Sequence, residues 1–157
     1  LDMAKHYWLF KAEPHIYGIE HLAAAPEKIG RWDGIRNYQA RNFLRDQVAK
    51  GDAVFIYHSH CKQPGVVGIA EVVKAAYPDP TQFDPQSPYF DSKATPDLPR
   101  WVAVDIKLAS QFKQVIPLSL IKQQTVLENM VLLKQARLSI QPVSEHEWQA
   151  ILQLANQ

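Results

Sequence analysis

The chain lacks most of the features that would assign a chemistry outright. Cys61 is its only cysteine, so no internal disulfide can form and the fold does not depend on oxidation. No apolar run approaches the roughly 20 residues of a membrane span, and no basic segment followed by an apolar core opens the chain. The expectation is a cytoplasmic protein, nuclear in a eukaryotic source, with no membrane partner. Neither sign of charge prevails: 17 Lys and Arg against 16 Asp and Glu leave +1, which excludes the global field of a general polyanion binder. Glycine is scarce at six residues, and none forms a G-x-S-x-G, P-loop or G-x-G-x-x-G motif. Gly65 and Gly68 fall inside a strand pattern, where close backbone packing explains them better than phosphate binding. Internal repeats and low-complexity tracts are absent too.

What is present is ordinary globular material, 46% hydrophobic and 21% charged over 157 residues. That length suits one domain with about two-thirds of its unfolded surface buried. Leu1 and Asp2 precede Met3 and read as an appended remnant. One domain over residues 4–157 is expected, and a monomer.

The segment HYWLFKAEP (6–14) reads as a first strand, and GIEHLAAA (18–25) as a short helix stopped by Pro26. Asn37 can cap a helix from about Tyr38 to Ala49, with Gly51 just beyond. Ala40, Phe43, Leu44 and Val48 share its apolar face, and Tyr38, Arg41, Asn42 and Arg45 the other. AVFIYHS (53–59), GVVGIAEVVKAAY (65–77) and WVAVDIKLA (101–109) read as strands. Between the last two lies a proline-rich loop, 78–100, holding six of the eleven prolines, and a loop this long is often functional. Short helices in 117–135, a strand at 137–143 and a helix over 144–154 complete the order; Ser144 and Glu147 have capping-box spacing. This is not regular βαβ alternation. It fits an α+β fold with a mixed or antiparallel sheet, open or closed as a small barrel, flanked by short helices.

Catalytic signals are weak. His58, His60 and Cys61 cluster in HSHC, but no second pair of ligands at zinc spacing accompanies them, so neither a metal nor another cofactor is expected. Cys61 has no recognisable partner set for a nucleophile. The stretch RWDGIRNYQARNFLRD (31–46) is stronger. It holds four of the six arginines: Arg31, Arg36, Arg41 and Arg45. A solvated helix face is the bland explanation. Against it, Asn37, Gln39 and Asn42 offer paired donors and acceptors suited to a base edge. Trp32 and Tyr38 offer ring faces for stacking, worth about 1–3 kcal/mol per base. Arginine forks match phosphate oxygens. Lys11, Glu13, His58 and Ser59 end apolar strands and either face solvent or line the mouth of a pocket. Trp8 and Trp148 read as core, and Trp101 as core before cage.

Six ordered segments, HYWLFKAEP, WDGIRNYQARNFLRD, GDAVFIYHS, GIAEVVKAAYPDPTQFDP, DLPRWVAVDI and RLSIQPVSEHEW, together resemble the EVE domain family. The resemblance covers about residues 4–154. It implies a PUA-like fold, a small bent β-barrel with flanking helices shared with YTH and ASCH domains. It also implies a non-catalytic pocket for a modified base, modified cytosine in DNA first. Two departures stand out: Ala12 where the family often has serine, and DSKATP (91–96) where it has DPKSTP. The base pocket expected on this resemblance comprises Trp32, Asn37, Tyr38, Tyr57, His58, Ser59, Lys11 and Glu13. Arg36, Arg41 and Arg45 form the expected phosphate set, the alternative for one of them being a buried ion pair with Glu13 or Asp33. Trp32→Ala is expected to remove selectivity and leave the fold intact. The alternatives are a modified-RNA reader, a small nucleotide-processing enzyme using His58 with Glu13 or Asp79, and a protein-interaction module.

Overall fold

A computed structural model of the protein describes residues 5–156; the expected remnant at residues 1–3 lies outside them. Strands β1 (Tyr7–Ala12), β2 (Ile29–Trp32), β3 (Ala53–His58), β4 (Gly65–Pro78), β5 (Val102–Pro117) and β6 (Ile140–Val143) form one sheet. Its order is β2-β5-β4-β3-β1-β6. Only the β1–β3 pair is parallel; the others are antiparallel, so the sheet is mixed. The helices are α1 (Pro14–Tyr17), α2 (Ile19–Ala24), α3 (Tyr38–Asp46), α4 (Leu118–Lys122), α5 (Val131–Lys134) and α6 (Glu145–Ala155).

Strands β4 and β5 are 14 and 16 residues long, far beyond the usual five or six, and cannot stay straight over a small core. Four register shifts between them supply the bends. Gly65 and Gly68 make the close approach possible: a Cβ there would lie 2.2 Å from the Ile116 carbonyl oxygen and 2.4 Å from that of Ser110. The sheet curls until strands far apart in its order meet, and the Phe10 ring of β1 lies 5.8 Å from the Trp32 ring of β2. The result is the bent PUA-like barrel.

The neighbouring strands β1 and β3 bury both faces. Trp8, Phe10, Val54, Ile56, Val72, Val104 and Ile106 fill the interior, closed by Leu22 of α2 and Ala40 and Leu44 of α3. Leu9, Phe55 and Tyr57 point outward beneath α4, α5 and α6. There Trp148 stacks between Phe55, at 3.7 Å, and Tyr7, at 4.7 Å. Trp8 and Trp148 are core, as expected. Ser144 and Glu147 form the capping box that starts α6.

Several boundaries differ from the sequence reading. Helix α3 stops at Asp46 instead of Ala49. Strand β5 runs eight residues past Ala109, because its second half pairs with the bent start of β4. Trp32 ends strand β2, a strand absent from the sequence reading. The 78–100 segment is not structureless. A 3-10 turn, Pro80–Phe83, opens it, and the Gln82 side chain then donates to the Asp79 and Trp101 carbonyls and accepts from the Arg100 and Trp101 amides.

Candidate functional site

Along the open seam of the barrel, where β2 faces the end of β1 and the approach to β6, lies a cavity of about 990 Å³. That is at the top of the range for small-molecule pockets. Five segments line it: Lys11–Glu13 at the end of β1, Ile16 and Tyr17 of α1, residues 31–35, Ser59 and His60 after β3, and Ala136, Arg137 and Ser139 before β6. Tyr89, from the long loop, completes the lining.

The inner wall is apolar and aromatic. Trp32 is 5% exposed and wedged between Phe10 and Tyr17, whose ring meets it edge-on at 6.0 Å. The Tyr17 hydroxyl lies over Gly30, where a Cβ would come within 2.2 Å of it. Burial, with Asp33 nearby, pushes the Tyr17 hydroxyl above its ordinary pKa, so it stays a protonated donor. Gly34 has φ +77° and carries the Tyr89 ring against its Cα, so a Cβ would clash at 2.8 Å. Ala12, one of the two departures noted in the sequence, also lines the cavity.

The rim is polar. The Lys11 ammonium donates to the Ala136 carbonyl, lies 5.5 Å from the Tyr57 ring centre, and has its pKa lowered by burial. Arg31 pairs with Asp33 at 2.9 Å. Glu13 lies 3.6 Å from His15 and 3.9 Å from His60. Arg137 is exposed and has no acidic partner among the described residues.

Of the residues expected in a base pocket, Lys11, Glu13, Trp32 and Ser59 line this cavity, and Asn37, Tyr38, Tyr57 and His58 do not. The Asn37 amide oxygen accepts from the Ala40 N–H and caps α3. Tyr38 is 51% exposed and packs at a tilt against Trp101, with ring centres 4.8 Å apart. Tyr57 is buried on the outer face of β3, and its hydroxyl is pushed up to about 12, by burial first and Cys61 second. The His58 ring accepts from the Ile19 N–H at 3.1 Å, and burial lowers its pKa despite Glu20. Trp32 is core as well as wall, so its truncation opens the barrel interior, contrary to the expectation that the fold stays intact.

The expected phosphate set is differently employed. All five guanidinium N–H donors of Arg36 are satisfied, by Tyr89 O twice, Ile35 O, Asp79 Oδ2 and Thr81 Oγ1. None is left for a phosphate. Its ion pair is with fully buried Asp79, not with Glu13 or Asp33. Arg41 donates to Arg100 O and Asn42 Oδ1 and covers the Tyr38 ring at 4.7 Å. Arg45 forms an exposed fork with its neighbour Asp46. The cations that do line the cavity are Lys11, Arg31 and Arg137. Sequence reasoning left out Arg31, Arg137, Tyr17 and Tyr89, which come from β2, the approach to β6, α1 and the long loop and share no local sequence signal.

Asp79 is a hub. Burial alone would raise its carboxyl, but hydrogen bonds from Thr81, Gly34 and Arg36 outweigh it and hold the pKa below the ordinary value. Its oxygens accept from the Gly34 and Thr81 amides, the Thr81 hydroxyl and Arg36, so it has no free oxygen to pair with His58. His60 leaves the strand with φ +53°, which separates it from His58. Among the described residues no group of three His, Cys, Asp or Glu side chains converges on a metal position, and no helix is long and apolar enough to cross a membrane.

A curled mixed sheet with an aromatic-walled, cation-rimmed cavity in its seam defines a PUA-like binding module. The EVE domain model matches residues 6–154, and the chain belongs to that family. Thymocyte nuclear protein 1 of Gallus gallus is 43% identical over 165 residues, covering 94% of this chain and 68% of that one. A structure of a hypothetical protein from Leishmania major superimposes with a TM-score of 0.93 at 46% identity, covering 98% and 96% of the two chains. The human THYN1 protein in complex with DNA containing 5-methylcytosine superimposes equally well, at 0.93, with 40% identity and coverage of 98% and 99%.

Proposed function

We propose that the chain is a non-catalytic reader of modified cytosine in DNA, holding an extruded 5-methylcytosine in the seam cavity. The observation that carries this is the cavity's division into an aromatic wall and a hydrogen-bonding rim, in a chain that superimposes over nearly its whole length on a protein bound to such DNA. A cytosine edge presents an N4 amino donor beside ring acceptors. Glu13 or Asp33 suits the donor; Lys11, Ser59 and Ser139 suit the acceptors. Tyr17, Trp32 and Tyr89 supply ring surface for the base. Ala12 and Ile35 supply apolar surface for the 5-substituent. Arg31 and Arg137 take the neighbouring phosphates.

Extrusion costs a few kcal/mol, which stacking and edge contacts offset. The methyl group itself adds only about 1–3 kcal/mol, so discrimination is modest. Fluorescence anisotropy at low salt tests this with DNA and RNA oligonucleotides, each unmodified or carrying 5-methylcytosine, 5-hydroxymethylcytosine or N6-methyladenine. A 5-methylcytosine DNA bound at least about five-fold more tightly than its unmodified control is the expected result. Equal binding of all probes, vanishing with salt, would reduce the rim to a charged surface. Tighter binding of a modified RNA would move the assignment to the 2′-hydroxyl-bearing polymer.

A further inference from the structure

The large apolar side chains most exposed among the described residues are Ile16, Tyr38, Phe90, Leu98 and Val126. Of these, only Ile16 lines the cavity. It is 53% exposed, on a rim otherwise made by Lys11, Glu13, Arg31, Ser59, His60 and Arg137. Its place is fixed. Pro14 begins α1, and the Glu13 carbonyl accepts from the Ile16 and Tyr17 amides at 2.9 and 3.0 Å. One residue is about 100° of helical turn, so Tyr17 goes inward against Trp32 and Ile16 outward.

A base entering the cavity from a duplex leaves an unstacked gap just outside the mouth. Such a gap is apolar and costly to fill with water, and proteins that distort duplexes fill it with Ile, Leu, Phe or Met. Resting on the reading given under Proposed function, we infer that Ile16 is a wedge that occupies the gap a flipped base leaves in double-stranded DNA. The partner surface is thereby a duplex with one base extruded, and the α1 turn, not the arginine-rich helix α3, is the part that enters it.

The test compares affinities of wild type, Ile16→Ala, Ile16→Ser and Ile16→Leu for one 5-methylcytosine strand, single-stranded and annealed to its complement. Ile16 is exposed, so these variants fold. The duplex-to-single-strand affinity ratio should fall about ten-fold in the Ala and Ser variants and return with Leu. Fluorescence of a 2-aminopurine beside the modified base should show reduced unstacking in the same two variants. A ratio unchanged by all three substitutions overturns the wedge while the wild-type preference for the modified strand still stands. Loss of that preference in the wild type removes the reading on which the wedge rests, and the wedge with it.

Discussion

At Arg36 every donor already has an acceptor, and its partner Asp79 lies 43 residues further along the chain. The arginine cluster was legible in the sequence; which arginine is buried was not, because nothing local distinguishes Arg36 from Arg41. The distinction comes from the proline-rich loop folding back. Asp79→Ala would strand a half-buried guanidinium and release the Gly34 and Thr81 amides. It should destabilise the fold by about 3–5 kcal/mol in urea denaturation; a loss under about 1 kcal/mol would mean that the hub holds little. Because the fold keeps this carboxyl below its ordinary pKa, the unfolded chain takes up the proton more readily. The stabilisation is therefore complete above the unfolded value of about 3.9 and is lost as pH falls through the lower folded value. Wild type should lose stability over that acid window more steeply than Asp79→Asn, measured as unfolding free energy against pH.

Helix α3 shows how an element can be read correctly and its side chains wrongly. Its cap at Asn37 and its buried Ala40 and Leu44 follow from spacing alone. The same spacing made Asn37 look like a base-edge group, yet its amide oxygen accepts from the helix. Asn37→Ala should cost about 1 kcal/mol in unfolding free energy and leave the proposed preference for modified cytosine in place. A collapse of that preference with stability retained would instead bring Asn37 to the base. Strand β2 went unread because four residues containing Gly30 and Arg31 show no strand pattern. Gly30 is there because the Tyr17 hydroxyl needs the space, a constraint set by a helical residue thirteen positions earlier and invisible to periodicity.

For the whole molecule, the barrel was legible through six ordered segments, whereas the seam cavity was only half so. The strand ends at Lys11, Glu13 and Ser59 marked one side. The other side comes from segments that only the curl of the sheet brings near. With net charge +1 and three cations at the rim, binding should rest on few phosphates. About two to four would give a log affinity–log salt slope of about −2 to −4. A slope steeper than about −6 would require a second basic surface, and α3 would be the place to look.

The seam also sets an order of events during synthesis. Lys11 reaches the Ala136 carbonyl, a partner 125 positions away, and β1 is flanked by β3 and by β6. A nascent chain carrying β1 to β5 can form most of the sheet, but the wall supplied by residues 136–139 is missing until that later segment emerges. Long-range closure of this kind is slow. The seam cavity is thus the last feature the molecule completes, and a partly made chain has a fold in progress but a cavity open on one side. Hydrogen-exchange labelling during refolding should find the amides of β3 and β4 protected before those around Ser139.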